Sequence, residues 1–327
     1  MFRVASKVTC KDRRKASKIA VLLIAAGVAA ALAMPRTAIS GDPDASGDAG
    51  DGGKPHHKHK AAAEKTPLAL PTDVKVPSYT PSAFPFHDGE RLVYEASWIG
   101  IPAARGWFEL HRNKKDPALW TVEAWIQTNK VVDLLFRMRD YMRERVAVGS
   151  LRTQEIYQVQ HENQRANEYT ISFDERTKLV VSTKKNRKGT ETHEFVSNDP
   201  FGPISGAMMA LSQELNPGNR LVFDVFSGTN RYVFDFTVDN REQVHTALGT
   251  FDALRVTPGI VYLSNGKLRG QARETTVWIS ADHRHLPLRM EAATFIGTVR
   301  ADLVQIDGPP LEGETSAEAQ SGTLAGR

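Results

Sequence analysis

From Phe84 to Gly308 the chain is built of short runs in which apolar and polar residues alternate, and that period of two restricts it to strands that bury one face. Leu92, Tyr94, Ala96 and Trp98 fall on one side of the first run, with Val93, Glu95 and Ser97 on the other. Trp120, Val122, Ala124 and Ile126 repeat the pattern, as do Tyr169, Ile171 and Phe173, while Tyr232, Phe234, Phe236 and Val238 make an aromatic-rich side. Turn residues separate the runs, among them Asn186 to Gly189, Asn216-Pro217-Gly218 and Asn265-Gly266. About twelve such runs predict a mainly β domain of antiparallel strands curled into a barrel, half-barrel or sandwich. One amphipathic helix is expected at about 200–215. Asp199 can cap it, Pro200 suits its first position, and Ile204, Ala207, Met208, Leu211 and Leu215 share a stripe. A shorter helical turn is expected from Val131 to Phe136.

The flanks have a different composition. Residues 1–33 carry a basic stretch (Arg3, Lys7, Lys11, Arg13, Arg14, Lys15, Lys18), then an apolar run from Ile19 that ends in Ala31-Leu32-Ala33. This is the pattern of a secretory signal peptide, with an uncleaved anchor as the alternative, and the run is shorter than the ~20 residues of a usual membrane span. The only cysteine, Cys10, precedes the apolar run, where lipidation cannot use it. Export to the periplasm or cell envelope of a Gram-negative-type bacterium follows, with the membrane met only through the N-terminal segment. Residues 34–83, small, charged and proline-rich, read as a disordered linker, and residues 309–327 as a disordered tail. Seven of the 42 Lys/Arg but one of the 38 Asp/Glu lie in residues 1–33, so the remainder carries a net charge near −2. The basic character belongs to the leader and gives no reason to expect nucleic acid.

The order of several motifs resembles the domain-of-unknown-function 3108 family of exported bacterial proteins. They begin with Gly89-Glu90-x-Leu92-x-Tyr94, Arg139-Asp140-Tyr141 to Arg145, and Tyr169-x-Ile171-x-Phe173-Asp174. Asp199-Pro200-Phe201, Gly249-x-Phe251-x-Ala253, Val277-Trp278-Ile279-Ser280-x-Asp282, Leu286-Pro287-Leu288-Arg289 and Gly297-x-Val299 follow. The resemblance implies an envelope location and a β-rich fold. It implies no activity, so it carries over no catalytic residue.

The sharpest constellation is basic. In an extended segment Arg137, Arg139, Tyr141, Arg143 and Arg145 project to one face, a ladder of guanidiniums that can grip phosphate or carboxylate groups. The plainer reading is a solvated face satisfied by cross-strand carboxylates such as Glu155 or Glu168. Tyr232, Phe234 and Phe236, with Trp98, Trp107 and Trp125, read either as core or as the lining of a greasy cavity. His56, His57 and His59 sit in a lysine-rich spacer, and His283-x-His285 fits a hairpin turn better than a metal site. No cysteine nucleophile, nucleophile elbow, phosphate loop or dinucleotide fingerprint is present, and no catalytic residue, metal ligand or cofactor is expected. The expected role is a non-enzymatic binder of an envelope lipid or anionic glycan in a concave β face, through Arg137, Arg139, Tyr141, Arg143, Arg145, Tyr232, Phe234 and Trp98. The alternatives are a module docking on another envelope protein and a cell-wall polymer hydrolase.

Overall fold

The computed structural model describes residues 69–72, 74–264, 267–270, 275–294 and 297–308. The leader, the histidine-rich spacer, the tail and the Asn265-Gly266 turn lie outside the described residues. Among the described residues sixteen strands follow in chain order. The first eight are β1 (Glu90–Trp98), β2 (Ile101–Arg112), β3 (Leu119–Thr128), β4 (Met138–Ala147), β5 (Thr153–Glu162), β6 (Arg165–Asp174), β7 (Leu179–Asn186) and β8 (Gly189–Val196). Then come β9 (Pro200–Phe201), β10 (Arg220–Ser227), β11 (Asn230–Thr246), β12 (Gly249–Ser264), β13 (Lys267–Gly270), β14 (Thr275–Ser280), β15 (Pro287–Thr294) and β16 (Gly297–Asp307). The count exceeds the expected twelve; β9 and β13, of two and four residues, are too short to show a period. The mainly β class is as the alternation predicts.

All sixteen belong to one sheet, whose path runs β8-β7-β6-β5-β4-β3-β2-β1-β16-β15-β14-β12-β11-β10-β9, with β13 beside β12. Every pairing is antiparallel except that of β9 with β10. The two edge strands, β8 and β9, are consecutive in the chain and separated only by Ser197, Asn198 and Asp199. A sheet whose edges are neighbours in sequence must curl until they meet.

They meet by overlap, without a closing ladder. On β10, Phe223 and Val225 face the interior, while Asp224 and Phe226 face the opposite way. The rings of Phe173 on β6 and Phe195 on β8 pack on Phe226 at centroid distances of 6.0 and 5.4 Å. Beside them Arg231 grips Asp224 through Nε–Oδ1 (2.8 Å) and Nη2–Oδ2 (2.6 Å), and both side chains are only 3% exposed. Arg231 also donates to the Val196 carbonyl at 2.9 Å, and the Ser197 hydroxyl donates to Asp224 at 2.5 Å. A buried ion pair thus pins the edge of β8 to β10 and β11.

The interior of the curl is filled by a helix, α2 (Pro203–Leu211). It is shorter than predicted and not amphipathic, since all nine of its residues are buried. Ile204, Met208 and Leu211 meet Leu92, Tyr94, Phe108 and Leu110 of β1 and β2. On another side, a Cβ on Gly206 would lie 3.5 Å from Phe201 and Val225, so a small residue there lets the helix lie against β9 and β10. Asp199 does not cap α2; it forms an ion pair with Arg152, and Pro200 belongs to β9. The N-cap is Gly202, which has no side chain to offer the first N–H groups.

Glu144 of β4 takes that part. It is fully buried, and its carboxylate accepts from Ile204 N at 2.8 Å and Ser205 N at 3.0 Å. Gly202 N donates to Thr153 Oγ1 at 2.7 Å and Ser205 Oγ at 2.9 Å. A Cβ on residue 202 would fall within 2.6 Å of the Glu144 carboxylate, which explains the glycine. At the other end His285 contacts the Leu211 carbonyl through Nδ1 at 2.7 Å, and Ser82 N and Ala83 N donate to the Ser212 carbonyl at 3.2 and 2.9 Å. His283-x-His285 lies in the turn between β14 and β15, as the turn reading expects. The stretch ahead of Phe84, which composition places in the linker, is in contact with the domain from Ser78, whose hydroxyl accepts from Arg152 at 3.4 Å. The Tyr79 hydroxyl accepts from Val222 N at 2.9 Å, and its ring lies 4.9 Å from that of Phe223.

Candidate functional site

Along β4 burial alternates: Met138, Met142, Glu144 and Val146 are buried, while Arg139, Tyr141, Arg143 and Arg145 are partly exposed. Arg137, just before the strand, is exposed. The ladder therefore shares one face, as the spacing predicts, but that face is the outer one. Tyr232 and Phe234 sit in the core at 4% and 0% exposure, and Trp98 is half-buried at the end of β1. The eight residues expected to form one concave site are thus split by the wall of the sheet. Among the described residues the concave side is occupied by α2, and two voids beside it measure about 30 Å³ each, too little for an acyl chain. The nine buried residues of α2 fill the curl.

The ladder also divides along its length. Arg139 binds Asp133 at 2.7 Å and works as a structural clamp. The Tyr141 hydroxyl donates to Glu123, and burial, helped by that hydrogen bond, holds its phenol protonated well above the usual range. Arg143 and Arg145 share one carboxylate, Glu155, at 3.6 and 3.5 Å, the cross-strand partner that the sequence suggests. One acid between two guanidiniums leaves a positive surplus.

That surplus faces a cleft of about 900 Å³ between β4 and the β2–β3 connection. Arg112, Lys114, Lys115, Arg143 and Arg145 line it, against the carboxylates of Asp88 and Glu155. The register places His111, Thr121, Arg145 and Glu155 in one row across four strands, which forms its floor. The connection is held by side chains acting on its own backbone. Asn113 Oδ1 accepts from Lys115 N at 2.9 Å and Asp116 N at 3.2 Å, and Asp116 Oδ1 accepts from Ala118 N at 3.1 Å. Arg112 lies over the Trp120 ring at 4.0 Å and donates to the Pro117 carbonyl at 3.2 Å. Lys114 and Lys115 make no ion pair with any described residue. Sequence reasoning missed these lysines, although two adjacent lysines in a turn next to a strand end are a visible signal.

Trp107 and Trp125, read from the sequence as core or as the lining of a cavity, are in neither place. They stack on the outer face with ring centroids 6.5 Å apart, Arg91 lies 4.5 Å over Trp107, and Trp125 is in register with Tyr141. Their parity is opposite to that of buried Phe108 and Ala124, which is the signal that could have placed them. Two carboxylates on the inner side of β4 and β5 are also perturbed. Burial and the charge of Glu162 push Asp140 up to about 7, and burial raises Glu162, whose Oε1 has no hydrogen-bond partner among the described residues.

A family model described as protein of unknown function, DUF3108, matches residues 93–304. No curated protein matches the chain. Among solved structures, a β-barrel-like protein of the domain of unknown function DUF1849 from Brucella abortus is similar, with a TM-score of 0.45 and 10% identity. The match covers 67% of this chain and 97% of that one. A protein described as exported, with a YmcC-like fold, from Bacteroides fragilis matches with a TM-score of 0.29 and 12% identity, over 71% of this chain and all of that one. A protein described as a lipoprotein, from Parabacteroides distasonis, matches with a TM-score of 0.29 and 11% identity over the same shares.

Proposed function

The chain belongs to the DUF3108 family, whose description assigns no activity, and we propose that it is a non-enzymatic exported protein of the cell envelope that binds an anionic glycan on the outside of its curled sheet. The observation that carries this reading is the cleft in which five cationic side chains face two carboxylates. Arginines suit carboxylate and phosphate groups because their paired N–H donors match two oxygens at once. The outer aromatic row of Trp107, Trp125 and Tyr141 lies on the same face of the sheet and offers flat apolar surface to sugar rings.

The test is titration calorimetry with an oligogalacturonate as the acidic probe and a malto-oligosaccharide as the neutral one. The unaltered protein binds the acidic probe with an affinity that falls as salt rises. Arg143→Glu lowers that affinity at least tenfold, because it replaces a cation by an anion beside Glu155, and leaves the melting temperature within a few degrees because the position is partly exposed. Equal binding of both probes, or unchanged binding by the variant, sinks the reading.

A further inference from the structure

Five large aliphatic side chains crowd one end of the molecule with no cover from the described residues. Ile99 is 62% exposed, Ile101 59%, Val131 68%, Leu134 85% and Leu135 76%; the other exposed large hydrophobics, Phe84, Val196 and Leu248, reach only 39–40%. The five belong to two neighbouring connections. Ile99 and Ile101 flank the β1–β2 turn, and the others belong to α1 (Lys130–Asp133) and the turn after it. Asn129 ties the two together by donating from its backbone N to the Ala103 carbonyl at 2.9 Å and from Nδ2 to the Pro102 carbonyl at 2.5 Å.

The leucines are held out rather than left loose. Asn129 Oδ1 accepts from Val131 N and Val132 N at 3.0 and 2.9 Å. Asp133 is fixed by Arg139 at 2.7 Å and by the Thr128 hydroxyl at 2.5 Å, and Phe136 anchors the far side in the interior. Two exposed cations, Lys130 and Arg137, bracket the apolar residues, while the intervening Asp133 is neutralised by its arginine. A projecting apolar knob needs no matching groove in a fluid hydrocarbon layer, and flanking cations suit anionic headgroups.

We propose that this tip is a membrane-docking site, in which Val131, Leu134 and Leu135 enter the interfacial zone of a bilayer containing anionic lipid while Lys130 and Arg137 meet its headgroups. The basic cleft lies at the opposite end of β2, so docking would hold it roughly 35 Å from the lipid surface. This site is independent of the glycan cleft.

The experiment places a reporter at the tip. Leu134→Trp in residues 34–327, the chain without the leader whose apolar run would itself bind lipid, is mixed with vesicles of phosphatidylethanolamine and phosphatidylglycerol carrying brominated acyl chains. Fluorescence beyond that of the unsubstituted chain is expected to be quenched. The double substitution Leu134→Ser, Leu135→Ser is expected to lower partitioning roughly tenfold without lowering the melting temperature, since both side chains are already in water. A chain that sediments with the vesicles while the introduced tryptophan stays unquenched docks through another segment, and that result overturns the proposal. Failure to bind the vesicles at all overturns it equally.

Discussion

Arg231→Leu is expected to destabilise the protein by about 3–5 kcal/mol, because it leaves the carboxylate of Asp224 buried without its partner. For a domain of this size such a loss lowers the melting temperature by roughly 6–20 °C. The double variant Arg231→Leu, Asp224→Leu is expected to recover much of it, since removing both charges abolishes the desolvation cost together with the attraction. The effect is large because of topology. The pair sits where β8 overlaps β10 and β11, and Arg231 also holds the Val196 carbonyl at the free edge of β8. Without it, the overlap that completes the curl rests on the Phe226 cluster and a few hydroxyl contacts. Equilibrium urea unfolding of the three proteins measures the difference, and a loss under about 1 kcal/mol in the single variant would show that the seam does not depend on the pair.

Glu144→Ala is expected to cost about 2–6 kcal/mol, because Ile204 N and Ser205 N lose their acceptor inside the core and each buried unsatisfied donor costs about 1–3 kcal/mol. The same residue makes stability depend on pH. Burial pushes Glu144 up to about 7, despite the two backbone donors that pull it down. Its folded pKa therefore lies above its unfolded one, so the native state holds the proton more tightly. The contribution is full below the ordinary glutamate range and is lost as pH rises through about 7. Asp140, also pushed up to about 7, acts in the same direction. Stability is expected to fall from about pH 4.5 to about pH 7 and to level off above that, by at most about 1.4 kcal/mol per pH unit for each group. Glu144→Gln, which cannot titrate, is expected to flatten the slope. A stability that rises across that window contradicts the assignment.

The strands were legible because period two survives any tertiary arrangement. The residues on β4 that share a face follow from it, and so does the partnership of Glu155 with the ladder. Which face turns inward does not follow. On β4 both sides carry charge, since Asp140 and Glu144 alternate with the arginines, so hydropathy does not distinguish the two. Glu144 reads as one more surface acid until α2, some sixty residues away, is brought against it. The helix shows the same limit. Its stripe of Ile204, Met208 and Leu211 was visible, but Gly206 and Ala210 on its other faces were not recognisable as a second packing surface. The cleft was half legible: Arg143 and Arg145 lie in the ladder, whereas Lys114 and Lys115 come from a turn that only the register places opposite them. The exposed leucines carried the weakest signal, because in sequence they continue the apolar run of a short helix.

On the proposed reading, ligand meets the outside of this sheet and not its filled interior. Amide hydrogen exchange with and without a saturating acidic oligosaccharide tests it most directly. Protection confined to residues 111–118 and to the facing parts of β4 and β5 is the predicted result. Protection appearing in α2 and in β10 to β12, with the outer strands unchanged, would contradict it and place the ligand inside the curl.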